Sequence, residues 1–324
     1  MLSVTGDWSY RIPFALQWLW PPFLILGTFY APESPFWLVR KGRLDEARRA
    51  LLKLTSSNSG VDYDVDEQVA LIKSTNEMEM SHQKGINYWH CFQGVDLRRT
   101  EIACISYLAQ TLCGSALMGF SVQFYQRAGL STEDSFSFNI GQSAMGAVGT
   151  VLSWFIMSYF GRRTIYIAGM AGLCLLLILV GGLGFADASS KGPSLAIGTL
   201  LLIYTMWYDL TIGPICYAIV AEMPSTRLKI KTVVMARALG NCFGFMNNAL
   251  MPNFLGVNSW NWGAKTGLFW AGFCLIFLIW AFFRLPEPKD RTFAELDILF
   301  ERKIPARKFA ETVLDEFDVG HGRS

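Results

Sequence analysis

Residues 209–229 read DLTIGPICYAIVAEMPSTRLK and lie within an apolar run that begins near residue 195. The run contains the acid Asp209 and, four residues later, the helix-breaking pair Gly213-Pro214. Both features are costly at membrane depth, where backbone groups and charges must be satisfied inside the protein. We therefore predict a functional site in a membrane-spanning helix that flexes at Gly213 and Pro214.

Composition supports a membrane protein. Hydrophobic residues make up 52% of the 324 positions and charged residues only 17%, whereas charged residues are about a quarter of a typical soluble domain. The net charge of +2 provides no basic face for nucleic acid. Three histidines and cysteines that fall mostly in apolar runs predict no metal site and no cofactor.

Seven apolar runs are long enough to cross a bilayer. They cover residues 12–30, 101–126, 136–160, 164–186, 195–221, 230–255 and 266–284. A polar region follows the first run and is predicted to form a basic amphipathic helix near residues 44–54 and an acidic helix across 64–80. We divide the chain into a first span (1–31), a helical linker (32–100), a six-helix half (101–285) and a tail (286–324).

Basic residues set the predicted orientation, because cytoplasmic loops are enriched in Lys and Arg. If the basic linker is cytoplasmic, the opposite side keeps only four basic residues, which are Arg11, Arg127, Lys191 and Lys265. The odd number of spans then places the C-terminus in the cytoplasm.

Three predicted spans carry polar and small residues along one side when drawn at about 100° per residue. In 101–126 the residues are Tyr107, Gln110, Gly114, Ser121 and Tyr125. In 136–160 they are Asn139, Gln142, Ser143, Gly146, Gly149, Thr150 and Ser153. In 230–255 they are Arg237, Gly240, Asn241, Gly244, Asn247 and Asn248.

Such stripes have two interpretations. Small residues let helices approach closely and amides bond across helix contacts, which is a purely structural role. Converging amides and hydroxyls also suit a ligand with many hydroxyl groups. Asp209 is equally open, since it could bind a proton, hydrogen-bond a ligand or lie near an interface.

Residues 32–38, PESPFWL, resemble the PESPRWL signature of sugar porters in the major facilitator superfamily. Four further family motifs follow in order: Gln110 with Gly114 (QQxSG), 161–163 (GRR), 213–215 with Glu222 (GPxxW…AE), and 285–297 (PETKGRTxEE). The resemblance covers nearly the whole chain and is strongest to fungal maltose or α-glucoside permeases.

The resemblance implies an all-α membrane protein with a partial major facilitator fold, namely the sixth span plus the C-terminal six-helix half. The first five spans of a twelve-span carrier are then absent, and we expect the chain to be truncated and inactive alone. The candidate substrate-binding residues, of which Gln110 and Gly114 occupy a family sugar-binding motif, are Gln110, Gly114, Asn139, Gln142, Asp209, Tyr217, Asn241 and Asn248. The residues expected to form the inner gate network are Glu33, Arg162, Arg163, Glu222 and Arg227.

Several positions depart from the family motifs. Phe36 replaces the Arg of PESPRWL, and Ser158 replaces the acid that usually stands three residues before GRR. Both changes weaken the expected cytoplasmic charge network. Thr111 and the pair Cys216-Tyr217 replace the expected Gln and Pro-Trp, which alters the expected sugar-facing wall.

The leading hypothesis is transport of hexoses or α-glucosides such as maltose by alternating access, in the plasma membrane. The partners would be the sugar, the lipid bilayer and protons, although the family's proton-coupling acid lies in the first helix. The alternative is a transporter-like nutrient sensor, which typically carries a longer cytoplasmic tail than the roughly 40 residues here. No nucleophile, metal or phosphate-loop constellation supports an enzyme.

Overall fold

The computed structural model describes residues 6–55, 64–83, 87–186, 191–225, 227–256, 258–289 and 291–312. Within these ranges the regular structure is helical. The chain forms two compact units, Met1–Ile86 and Asn87–Ser324.

The first unit contains five helices. They are α1 (Trp8–Gln17), α2 (Trp20–Tyr30), α3 (Pro35–Arg40), α4 (Leu44–Leu54) and α5 (Val65–Gln83). The predicted first span exists as Arg11–Tyr30, but it is divided between α1 and α2 at Trp18 and Leu19. Its large apolar side chains are exposed, as expected of a helix in contact with lipid.

Helices α4 and α5 confirm the two helices predicted in the linker. α4 buries Ala47 and Ala50 on one face, one turn apart, against Leu38 of α3 and Ile72 of α5. On the polar face of α4, Arg48 Nε donates to Asp66 Oδ1 of α5 at 2.7 Å. This hydrogen bond holds the pKa of Asp66 below its usual range. The bond therefore stabilises the fold at neutral pH, and this stabilisation is lost as the pH falls through the lowered pKa.

The second unit begins with a 3₁₀ turn (Tyr88–Phe92) and continues as ten α-helices. They are α6 (Gly94–Leu112), α7 (Ala116–Gly119), α8 (Ser121–Arg127), α9 (Thr132–Tyr159), α10 (Arg162–Leu183), α11 (Lys191–Leu210), α12 (Ile212–Glu222), α13 (Lys229–Leu255), α14 (Thr266–Arg284) and α15 (Phe293–Glu301). A second 3₁₀ turn (Gly263–Lys265) precedes α14, and a third (Ala306–Lys308) follows α15.

Six stretches of the described residues are long and apolar enough to cross a membrane. They are Arg11–Tyr30, Gly94–Gly119, Thr132–Tyr159, Arg162–Leu183, Gly192–Glu222 and Gly263–Arg284. The seventh predicted span forms a helix of sufficient length, the 27-residue α13. It is absent from the apolar set because Arg237 and several asparagines lower its hydropathy.

Close backbone packing holds the bundle together. α9 and α11 run parallel, since Phe138 lies against Gly198 and Gly149 lies against Met206 farther along both helices. A Cβ on Gly149 would come within 2.6 Å of the Met206 carbonyl oxygen. α10 and α14 run antiparallel and meet at Gly267, where a Cβ would lie 2.9 Å from the Leu177 carbonyl oxygen. Small residues of this kind are how membrane helices gain packing energy without a hydrophobic driving force.

The bundle therefore has a tightly packed interior and an apolar exterior. Tyr166, Tyr204 and Trp270 are fully buried inside it, whereas Ile140, Trp154 and Phe155 of α9 face outward. The residues after α14 also pack onto the bundle, burying Phe300 and Phe309. The part of the predicted tail that the structure describes, up to residue 312, is thus folded against the helices.

Candidate functional site

The predicted span 101–126 is interrupted at Gly114. This residue has φ +100°, a left-handed conformation that glycine adopts without strain. A Cβ there would lie 3.1 Å from the Tyr204 hydroxyl, which donates to the carbonyl of Cys113 at 2.9 Å. Gly114 therefore makes the turn between α6 and α7.

The helix that contains Gly213-Pro214 is also interrupted, but at Thr211 (φ −121°, ψ −83°). Pro214 lies in the first turn of α12, where a missing N–H costs nothing because no carbonyl of the same helix awaits it. The break predicted from this sequence is therefore real and begins two residues before Gly213. Flexing at Gly213 and Pro214 stays a prediction.

Gln110 connects the two interruptions. It is only 8% exposed, and its Nε2 donates to the Gly213 carbonyl at 3.2 Å. Because Gln110 also lies four residues before Gly114, one side chain links both broken helices.

An aromatic wall lies on α6 and α12, the two helices that Gln110 joins, and on α13. The rings of Tyr107 and Tyr217 meet edge to face with centroids 6.0 Å apart, and the Arg237 guanidinium lies 5.6 Å from the Tyr217 ring. Tyr217 is 47% exposed. Exposed aromatic faces bind the apolar C–H surface of a sugar, and a guanidinium donates to hydroxyls.

Tyr107 and Arg237 were not among the predicted site residues. Both were visible in the polar stripes of their helices, and Tyr107 shares a side of α6 with Gln110. The sequence could not show that α13 brings Arg237 to the ring of Tyr217.

Two predicted amides of α9 bond to the neighbouring helix α8. Ser121 Oγ donates to Asn139 Oδ1 at 2.8 Å, and the Tyr125 hydroxyl donates to Gln142 Oε1 at 3.0 Å. These bonds tie α9 to α8, which is the interhelical role considered as the alternative. Sugar contact by either amide stays a prediction.

Asp209 lies against α9. A Cβ on Gly146 would come within 2.6 Å of Asp209 Oδ2, and a Cβ on Gly149 within 3.3 Å of Asp209 Cβ. The two glycines thus form the notch that accommodates this side chain. A role in substrate binding stays a prediction.

The remaining predicted amides, Asn241 and Asn248, are exposed on α13. Asn248 Nδ2 donates to the Gly244 carbonyl one turn earlier at 3.0 Å. The adjacent Asn247 instead faces α6 and donates to the Thr111 carbonyl at 2.8 Å.

We call the end of the bundle where α6 and α10 begin and α12 and α14 end the charged end. There Arg162 Nη2 lies 3.4 Å from Glu222 Oε1, and Arg163 Nη2 donates to the Phe282 carbonyl at 2.9 Å. Arg227 pairs with Asp96 at 3.1 Å. Arg162 and Glu222 of the predicted network are therefore paired, whereas the predicted Glu33 lies in the first unit.

Glu287 binds the start of α10. Its Oε1 accepts from the Arg162 backbone N–H at 2.7 Å, and its Oε2 accepts from the Arg163 N–H at 3.1 Å. A carboxylate at a helix N-terminus satisfies free N–H groups and complements the helix dipole. Nearby, Lys289 Nζ donates to the carbonyls of Ser158 and Tyr159 at the end of α9. The family motif predicts an acid at position 158. The chain has Ser158 there, and Lys289 is held by backbone carbonyl oxygens instead of a carboxylate.

Two further ion pairs at the charged end were not predicted. Arg99, 3% exposed, pairs with Asp297 of α15. Arg284 pairs with Glu101, which also accepts from Trp280 Nε1 at 3.0 Å. Their partners are more than 180 positions apart in the chain, so no local pattern could have matched them.

Broken helices at membrane depth, beside a polar aromatic wall and a charged end, define the class: an integral, multi-pass helical membrane protein built like a solute carrier. The family model for sugar (and other) transporters matches residues 1–300. The chain belongs to that family.

Individual relatives of this chain agree with the family assignment. The general alpha-glucoside permease of Saccharomyces cerevisiae is 44% identical over 317 residues, which cover 97% of this chain and 51% of that protein. Maltose permease MAL31 of the same yeast is 42% identical over 315 residues, which cover 96% of this chain and 51% of that protein. The predicted resemblance to fungal maltose and α-glucoside permeases is confirmed. The chain spans about half the length of the curated relatives it matches.

Solved structures show the fold. The proton:xylose symporter XylE bound to 6-bromo-6-deoxy-D-glucose matches with TM-score 0.70 and 20% identity, over 92% of this chain and 62% of that chain. The inward open conformation of the xylose transporter XylE from E. coli matches with TM-score 0.64 and 19% identity, over 92% of this chain and 59% of that chain. The chain therefore has a partial major facilitator fold, as predicted.

Proposed function

We propose that this chain contributes one wall of a sugar pathway across a membrane and that its substrates are α-glucosides such as maltose. The observation that carries the proposal is the Gln110–Gly213 bond, which joins two broken helices beside the wall of Tyr107, Tyr217 and Arg237. A sugar bound there would contact both broken helices at once, so it could favour one of their arrangements over another. The yeast permeases named above support the choice of substrate.

A chimera tests this proposal. Residues of this chain would replace the matching half of the yeast general alpha-glucoside permease, in cells without other maltose uptake. We expect saturable uptake of labelled maltose. The chain alone in liposomes is expected to give none, because alternating access needs two halves around one site.

Single substitutions in the chimera locate the sugar. Gln110→Ala or Tyr217→Phe removes hydrogen-bonding capacity, and each is expected to raise KM about tenfold, since a hydrogen bond contributes about 1–1.5 kcal/mol. Ile140→Ala, on the exposed apolar side of α9, is the matched control and should leave uptake unchanged. A correctly inserted chimera without uptake, or a Gln110→Ala variant with unaltered KM, contradicts the proposal.

We further propose proton symport in the plasma membrane, with the charged end and the C-terminus in the cytoplasm. The orientation is supported by the clustering of Arg and Lys at the charged end, which favours the cytoplasmic side. Maltose addition to chimera-expressing cells should alkalinise the medium, and a protonophore should abolish this. A C-terminal epitope should bind antibody only after the cells are permeabilised.

A further inference from the structure

The outward side of α14, a helix that the structure describes throughout, has no polar side chain before its last residue. Its exposed residues are Leu268, Gly272, Leu275, Ile276, Ile279, Phe282 and Phe283. The other side of α14 packs against α10 at Gly267 and against α6 through Trp280, and the aromatic wall lies on other helices. A membrane-length helix whose outward side is entirely apolar is suited to contact with lipid acyl chains.

Three cations lie at the end of this apolar side, and we call them the basic rim: Arg163, Lys289 and Arg307. The Arg307 guanidinium lies 4.2 Å from the centre of the Phe282 ring. Arg163 Nη2 donates to the carbonyl of the same Phe282 at 2.9 Å. Lys289 lies beside the start of α10, because its backbone N–H and that of Arg163 both bind Glu287. The basic rim is therefore one contiguous group at the charged end.

The protein neutralises little of this positive charge. Among the described residues no carboxylate forms an ion pair with any of the three side chains. Lys289 Nζ is held by backbone carbonyls at the end of α9, and Arg163 and Arg307 repel each other. Glu287 attracts Arg163 from a greater distance, but backbone N–H groups occupy both of its oxygens. An anion beside these cations is therefore stabilised.

We propose that the basic rim binds the headgroup phosphate of an anionic phospholipid whose acyl chains lie along the outward side of α14. A lipid is favoured over a soluble anion because the cations adjoin the apolar surface, where Phe282 is 46% and Phe283 59% exposed. A guanidinium stacked on a ring keeps its N–H edge for a phosphate. The proposal rests on the proposed cytoplasmic position of the charged end, since anionic lipids are concentrated in that leaflet.

Native mass spectrometry of the full chain in detergent measures the binding. Phosphatidylserine should bind at least about tenfold more tightly than phosphatidylcholine with the same acyl chains. Each basic residue near a membrane surface contributes about fivefold in affinity for anionic lipid. Arg307→Gln should therefore weaken phosphatidylserine binding about fivefold and leave phosphatidylcholine binding unchanged, whereas Arg307→Lys keeps the charge and should weaken it less.

Lys265→Gln is the matched control. Lys265 also lies over an aromatic ring, that of Phe185 at 4.6 Å, but at the opposite end of α14, so its loss should leave phosphatidylserine binding unchanged. Lys289→Gln combined with Arg307→Gln removes two cations of the basic rim and should weaken binding about 25-fold. Phosphatidylserine should raise the Tm of the parent and of Lys265→Gln more than that of this double variant, because a ligand stabilises the state that binds it.

Three results overturn the proposal. The first is equal affinity of the parent for the two lipids. The second is an Arg307→Gln variant that has the parent's Tm in detergent and binds phosphatidylserine like the parent. The third is displacement of phosphatidylserine by inorganic phosphate, which would indicate a site for soluble anions.

The outcome for this site is separable from the outcome for transport. Lipid binding is measured without sugar, so a chimera that fails to take up maltose would refute the proposed transport and not the lipid site. A C-terminal epitope that binds antibody on intact cells would refute the orientation and the lipid site together.

Discussion

Glu287 provides the sharpest test of how the charged end is held together. Its two carboxylate oxygens accept the first backbone N–H groups of α10, and Oε1 also accepts from the Lys289 N–H at 3.2 Å. Glu287→Ala removes all three bonds. Hydrogen bonds to a charged group contribute about 1.5–3 kcal/mol each when well buried, so for this partly buried set we expect a loss of about 3 kcal/mol.

Gly161 reports on the same contact from the other side. A Cβ on Gly161 would lie 2.0 Å from Glu287 Oε2, so Gly161→Ala must displace the carboxylate. The backbone itself tolerates alanine, because φ is −71°. The expected cost of about 2–3 kcal/mol is therefore the loss of the same bonds, and the double variant should cost about 3 kcal/mol because the two effects are not additive.

Thermal unfolding of the detergent-solubilised chain is the assay. At about 2 °C per kcal/mol for a unit of this size, Glu287→Ala should lower Tm by about 6 °C. Glu287→Gln, which keeps one acceptor oxygen, should lower it by about half as much. Exposed Glu311 is the control, and its change to Ala should leave Tm unaltered. Fully additive costs at Gly161 and Glu287, or a Glu287→Ala variant as stable as the parent, would refute the reasoning.

Two further predictions concern packing and charge. Asp297→Asn leaves the buried guanidinium of Arg99 without its carboxylate and should cost about 2–3 kcal/mol, whereas Asp96→Asn frees a solvent-exposed arginine and should cost less than about 1 kcal/mol. Equal shifts in Tm for the two variants would contradict this. Gly149→Ala forces a methyl group into the α11 backbone and should cost about 2 kcal/mol or more, while Gly182→Ala has open space and should be neutral or slightly stabilising. If Gly149→Ala melts with the parent in the same assay, α9 and α11 do not touch as closely as described.

Helix positions were largely predictable. The seven apolar runs predicted α2, α6, α9, α10, α11, α12, α14 and, despite its asparagines, α13. The interruption at Gly114 was not predicted, because a single glycine within an apolar run does not reveal a positive φ. The interruption near Gly213 was predicted from its proline, but its position shifted to Thr211 because proline is accommodated in the first turn of α12.

The side-chain roles were less predictable. Asn139, Gln142, Asn241 and Asn248 belong to similar polar stripes, yet the first two bond to α8 and the last two are exposed. A helical stripe shows which residues share a side. It does not show which neighbour that side meets.

Hydropathy, periodicity and short motifs are local properties, and they were sufficient to establish a membrane-embedded helical bundle of the sugar transporter family. Contacts between distant segments required the folded chain. The pairing of Arg99 with Asp297 and the bond from Gln110 to Gly213 join residues 198 and 103 positions apart. Such partners are selected by how whole helices pack, and the free energy of that packing depends on shape and backbone approach across the bundle, which no single stretch of sequence records.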